Sequence, residues 1–90
     1  MATAWFRFYE ELNDFLHYAH RKCEFEYGYA REATVKQAIE ALGVPHTEVE
    51  LILVNGVSVD FAYRLRDGDC ARVRPLIEGY AAGPLLRLRP

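Results

Sequence analysis

One main helix is written into the middle of this chain. In Thr34-Val35-Lys36-Gln37 a hydroxyl and a side-chain amide stand three residues apart, the spacing of a capping box. Val35, Ala38, Ile39 and Leu42 then form one apolar stripe before Gly43 supplies a C-terminal cap. A stripe on one side of a short helix has to be buried against another element, and the sequence on either side of it changes to a period of two. The expected class is therefore α+β, a sheet with this helix on one face.

The strands can be placed from that alternation. In Ala4-Trp5-Phe6-Arg7-Phe8-Tyr9, the residues Ala4, Phe6 and Phe8 share one face while Trp5 and Arg7 share the other. Glu10 to Tyr18 changes period, with Leu12, Phe15 and Leu16 at i, i+3 and i+4, which predicts a short helical turn over one end of the core. Alternation returns at Cys23, with Cys23, Phe25, Tyr27 and Tyr29 set against Lys22, Glu24 and Glu26. After the Pro45 loop, Val49 to Val54 is apolar at nearly every position and reads as a strand buried on most of both faces. Asn55-Gly56 marks a type I′ hairpin into Val57-Ser58-Val59. Phe61 to Leu65 makes an irregular crossing, Asp67-Gly68 a turn, and Ala71 and Val73 alternate with Cys70, Arg72 and Arg74 in a last strand.

The order β-β-α-β-β-β, with a hairpin, a helical crossover and a final strand returning beside the first, describes a ubiquitin-like β-grasp. The expected mixed sheet has strand order 2-1-5-3-4, with the first and last strands as central parallel neighbours and Phe6, Phe8, Ala71 and Val73 facing Ile39 and Leu42.

Composition narrows what such a domain can do. With 90 residues, 51% hydrophobic and 27% charged, the chain holds one globular domain and is neither disordered nor fibrous. A domain this small buries only about 60–65% of its unfolded surface, so five Phe, six Tyr and Trp5 should supply much of the core and its rim. The longest apolar run, Leu51-Ile52-Leu53-Val54, is far short of the roughly 20 residues that span a bilayer, and no basic-then-apolar leader opens the sequence. The expectation is a soluble, cytoplasmic protein with no membrane partner. Its two cysteines are then reduced thiols rather than a disulfide framework. The net charge of −2 selects no polyanionic partner by itself, but the charge is unevenly spread. Residues 1–60 carry five basic against ten acidic residues, whereas residues 61–90 carry six arginines against three acids.

Three segments carry a family resemblance over about residues 2–77: Phe8-Tyr9-Glu10-Glu11-Leu12-Asn13-Asp14-Phe15-Leu16, Leu53-Val54-Asn55-Gly56 and Leu65-Arg66-Asp67-Gly68-Asp69. They resemble the MoaD/ThiS-like β-grasp sulfur carriers of molybdopterin and thiamine synthesis. They are more similar still to the ubiquitin-like domain that precedes the Mut-seven C-terminal type RNase domain in bacterial proteins. Pro84-Leu85-Leu86-Arg87-Leu88-Arg89-Pro90 is similar to the linker entering that nuclease, so the resemblance implies a domain over 1–77, a flexible tail or linker over 78–90, and a fragment or stand-alone relative. Sulfur carriers end in a flexible Gly-Gly whose carboxylate is adenylated and thiolated. Here the corresponding pair is Gly79-Tyr80 with ten more residues after it, so carriage, or use as a modifier, would require processing to a C-terminal glycine.

Side chains with chemical potential read mostly as ordinary. His17, His20 and Cys23 have a His-x2-His-x2-Cys spacing but only His46 as a fourth candidate, so surface histidines are expected rather than a metal site. Strand phase sets Cys23 inward and Cys70 outward, which predicts two free thiols. Asp60, Asp67 and Asp69 each adjoin a turn signal and read as turn residues. No nucleophile has a base and an orienting partner at suggestive positions, so catalytic residues, metal and cofactor are all expected to be none.

The outer sheet face is different. Parallel pairing of the first and last strands would put Trp5, Arg7, Arg72 and Arg74 on it, with Glu24 and Glu26 on the flanking strand. The plain expectation is solvated arginines, with Arg7 paired to Glu24 or Glu26. The functional one is a contact surface for a protein partner or an adjacent RNase domain, arginine and tryptophan being enriched at interface hot spots. Single-stranded RNA is a weaker alternative, because the first 60 residues are acidic and there is a single Trp. The sequence thus predicts a monomeric, non-catalytic binding module.

Overall fold

A computed structural model describes residues 1–30 and 32–75. The proposed domain end at 77 and the tail 78–90 lie outside the described residues. Five strands, β1 (Ala2–Phe8), β2 (Phe25–Tyr29), β3 (Val49–Val54), β4 (Val57–Val59) and β5 (Cys70–Pro75), form one sheet in the order β2-β1-β5-β3-β4. β1 runs parallel to β5 and every other pair is antiparallel. One α-helix, α1 (Val35–Ala41), covers the inner face; short 3₁₀ helices occupy Glu10–Phe15, Tyr18–His20 and His46–Glu48.

α1 has only seven residues, too few to persist alone, so its ends and its buried stripe must hold it. Its capping box is formed: Gln37 N–H donates to Thr34 Oγ1 at 3.2 Å, and Thr34 N–H donates to Gln37 Oε1 at 2.9 Å. Gly43 follows with φ of +96°, where a Cβ would also meet the Phe15 carbonyl oxygen at 3.0 Å, so glycine is required here by backbone and by space. Val35, Ala38 and Ile39 bury the stripe against Phe6, Phe8 and Val73 of the sheet, each of these side chains being fully enclosed. Burial of a side chain the size of Phe or Ile contributes about 1.5–3 kcal/mol, which compensates for the helix's shortness.

Three local readings are corrected. The Glu10–Phe15 turn is 3₁₀ and ends at Phe15; Leu16 leaves it in an extended conformation and enters the core beside Leu12, so Phe15 is 40% exposed. β3 is not buried on both faces. Val49 pairs with Pro75 and Leu51 with Arg74, so Glu50 is an extra residue that shifts the register. This bulge lets Val49, Ile52 and Val54 face inward while Leu51 and Leu53 remain half-buried on the outer face. The change of phase accounts for Val49 alone; Leu51 and Leu53 are apolar residues on the outer face without a second covering layer among the described residues.

The third correction concerns the aspartates. Asp60 does close a local turn, accepting from Ala62 N–H at 2.9 Å. Asp67 does lie in a turn, but its Oδ1 reaches beyond it to the start of β1, where it accepts from Thr3 N–H at 2.8 Å. Asp69 is buried, with 5% of its surface exposed. Its carboxylate accepts from Asn55 Nδ2 at 3.0 Å, Tyr63 O–H at 2.8 Å and Arg66 N–H at 2.8 Å. Asn55, with φ of 52° in the β3–β4 turn, also accepts from Cys70 N–H at 3.0 Å. These bonds join the hairpin turn, the crossing segment and the first residue of β5. A buried carboxylate is tolerated when several donors replace its water.

Candidate partner-binding face of the sheet

The outer face is assembled by register. Across β1 and β5, Trp5 lies opposite Cys70 and Arg7 opposite Arg72; across β5 and β3, Arg72 lies opposite Leu53 and Arg74 opposite Leu51. Trp5, Arg7, Arg72 and Arg74 therefore share one face, bordered by Leu51 and Leu53 on the β3 side. Trp5, Arg7 and Arg74 are half-buried, and Arg72 is exposed. On the β2 side Glu26 stands opposite Trp5, two residues from Arg7, and the same register carried one step past Phe6–Phe25 sets Glu24, the other expected neighbour, opposite Arg7. The Glu32–Arg64 pair, at 3.0 Å, and the Glu40–His46 pair lie away from this face.

Tyr9 is the residue the sequence reading left out. It follows β1, and its N–H donates to Val73 O at 3.1 Å, which extends the β1–β5 pairing by one step. Glu10 then turns the chain away with φ of 52°. The Tyr9 ring carries two guanidinium groups, Arg74 at 4.1 Å and Arg7 at 5.2 Å from its centroid. Arg7 and Arg72 are neighbours across the strands and repel one another. The negative face of the Tyr9 ring offsets part of that, each such contact being worth about 0.5–1 kcal/mol where solvent reaches it. Arg7 Nε is enclosed and has no hydrogen-bond partner among the described residues. The signal for Tyr9 was present in the sequence, since it continues the 5, 7, 9 parity of β1. Leu51 and Leu53 could not be placed until the bulge at Glu50 was known.

The other candidates are dispersed. His17 Nδ1 accepts from Ala19 N–H at 3.2 Å and its ring stacks on Tyr18 at 4.6 Å, while His20 stacks on Phe25 at 4.1 Å. Cys23 is bonded locally to the Ala19 carbonyl, and His46 faces Glu40 at 2.6 Å from the far side of α1. Among the described residues no cluster of three or more His, Cys, Asp or Glu is placed to hold a metal ion. Cys23 and Cys70 are free. The shifted proton affinities have local causes. Burial raises the Tyr63 and Tyr29 hydroxyls above their ordinary value, with the Asp69 carboxylate adding to both, and the hydrogen bond to His46 lowers Glu40.

Solved structures with this architecture include the putative molybdopterin converting factor subunit 1 of Pyrococcus furiosus. It is 21% identical with a TM-score of 0.61, covering 86% of this chain and all of that one. Two structures of small archaeal modifier protein 1 of Haloferax volcanii are each 17% identical, with TM-scores of 0.63 and 0.64; they cover 88% and 86% of this chain and all of their own. At this identity they establish a shared ubiquitin-like β-grasp fold. Among curated proteins none matches the sequence. A sequence-family model described as Mut7-C ubiquitin matches residues 1–80, nearly nine-tenths of the chain. With that match and a sheet order of 2-1-5-3-4 around one helix, the chain belongs to the Mut7-C ubiquitin family of ubiquitin-like domains.

Proposed function

We propose that this domain is a non-catalytic binding module that positions a protein partner or an adjacent RNase domain against its outer sheet face. The observation that carries the reading is the side-by-side placement of Trp5, Arg7, Arg72 and Arg74, with Tyr9 under two of the guanidinium groups. Membership of the Mut7-C ubiquitin family supports an RNase-containing protein as the setting. Function as a monomer in the cytoplasm belongs to the same proposal. The test is affinity capture from extracts of the native cell with the unaltered chain and with the charge reversals Arg72→Glu and Arg74→Glu. The expected result is a defined protein retained by the unaltered chain and lost in both variants, whose circular dichroism stays native. Equal retention by the variants would place the contact elsewhere.

The rival reading is a sulfur carrier or modifier released by processing, and the likeness to small archaeal modifier protein 1 and to the molybdopterin converting factor subunit favours it. It predicts a mature chain ending near Gly79, or one bearing a thiocarboxylate; an intact mass from native cells that includes Tyr80 and the residues after it excludes both.

A further inference from the structure

The outer face has two parallel rows of different chemistry. Along β5 run Arg72 and Arg74; beside them along β3 run Leu53 and Leu51 in matched register. Adjacent strands lie about 4.8 Å apart and alternate residues on a strand about 6.6 Å apart, so a basic row borders an apolar row at side-chain distance. Every cation contributed by β1, β3 and β5 is an arginine. Arginine suits planar, bidentate acceptors, whereas lysine acts as a point charge. Two of the three guanidinium groups are held against Tyr9, so less side-chain freedom is lost when they bind.

Resting on the binding-module reading above, we propose that the occupant of this face is an acidic–apolar segment of a protein. Its Asp or Glu carboxylates would lie on Arg72, Arg74 and Arg7, and neighbouring apolar side chains would lie on Leu51 and Leu53. The same features disfavour a nucleic-acid strand. The Tyr9 ring already carries guanidinium groups and is not a free platform for a base. Leu51 and Leu53 offer a phosphate backbone nothing, whereas they complete a protein contact in which charge fixes register and apolar burial adds affinity.

The test is selection of a display library of random 16-residue peptides on the 90-residue chain. The strongest binder is then synthesised and titrated into isotopically labelled protein in parallel with a 12-nucleotide oligouridylate. The expected pool is enriched in Asp and Glu next to Leu, Ile or Phe. Its binder should shift the amides of residues 5–9, 51–53 and 70–74, and should weaken about tenfold in Arg74→Gln and again when salt is raised from low to high concentration. Arg74→Lys, which keeps the charge but not the planar fork, should recover only part of the loss. A pool of neutral apolar peptides that shifts those amides would overturn the acidic chemistry and leave the docking face standing. Peptides that map elsewhere, or an absence of binders, would overturn both proposals. Oligouridylate shifting the same amides at lower concentration than the peptide would replace the protein partner with a nucleic acid.

Discussion

Replacing Asp69 by Asn tests whether one buried carboxylate holds the frame on which the proposed binding face is built. The substitution keeps size and shape but turns one acceptor into a donor. If the amide nitrogen takes the Oδ1 position, it meets the Asn55 amide, which cannot turn without giving up the bond its own oxygen accepts from Cys70 N–H. If it takes the Oδ2 position, it meets Arg66 N–H, which has no acceptor to offer. Either orientation leaves at least one enclosed donor without an acceptor and weakens the bond from Tyr63 by removing the charge. An unmet buried donor costs about 1–3 kcal/mol, so the expected loss is roughly 2–3 kcal/mol. For a domain of this size that lowers the melting temperature by about 8–24 °C. Asp67→Asn is the control: the Thr3 N–H bond is exposed, and the amide oxygen can still accept it, so the change should stay within about 0.5 kcal/mol. Urea unfolding at neutral pH with unchanged m-values measures both. Equal, small losses would mean that the Asp69 bonds are incidental to stability, and the account of this node would fall.

Gly43→Ala should cost about 1–2 kcal/mol in the same assay, because φ is +96° and the new methyl would sit 3.0 Å from the Phe15 carbonyl oxygen. Thr34→Ala should cost about 1 kcal/mol by removing the oxygen that accepts from Gln37 N–H at the start of α1. Alkaline stability follows from the tyrosines. Tyr63 and Tyr29 hold their protons more tightly folded than unfolded, so the unfolded chain ionises first and stability falls as pH rises above the ordinary value of 10.0. Thermal unfolding between pH 8 and 11 should show that fall, with a shallower slope in Tyr63→Phe; an unchanged slope would remove Tyr63 as a cause.

The order of elements, the helix with its capping box and the strand phases of β1 and β5, which set Trp5 with Arg7 and Arg72 with Arg74, were determined by the sequence itself, because each rests on local spacing. A capping box is a contact three residues long, and a period of two fixes which residues share a face once neighbours are chosen. The contacts of Asp69, the reach of Asp67 to Thr3 and the Tyr9 stack were decided by tertiary structure. Apart from Arg66–Asp69 and Arg7–Tyr9, three and two positions apart, they join residues between 6 and 65 positions apart, which nothing local in the sequence specifies. The bulge at Glu50 belongs to the same class: Val49 shares the parity of Leu51 and Leu53, and only the pairing of β3 with β5 shows that it faces the other way. Local spacing thus fixed the elements and their faces, while long-range pairing determined what stands next to what on the face that would meet a partner.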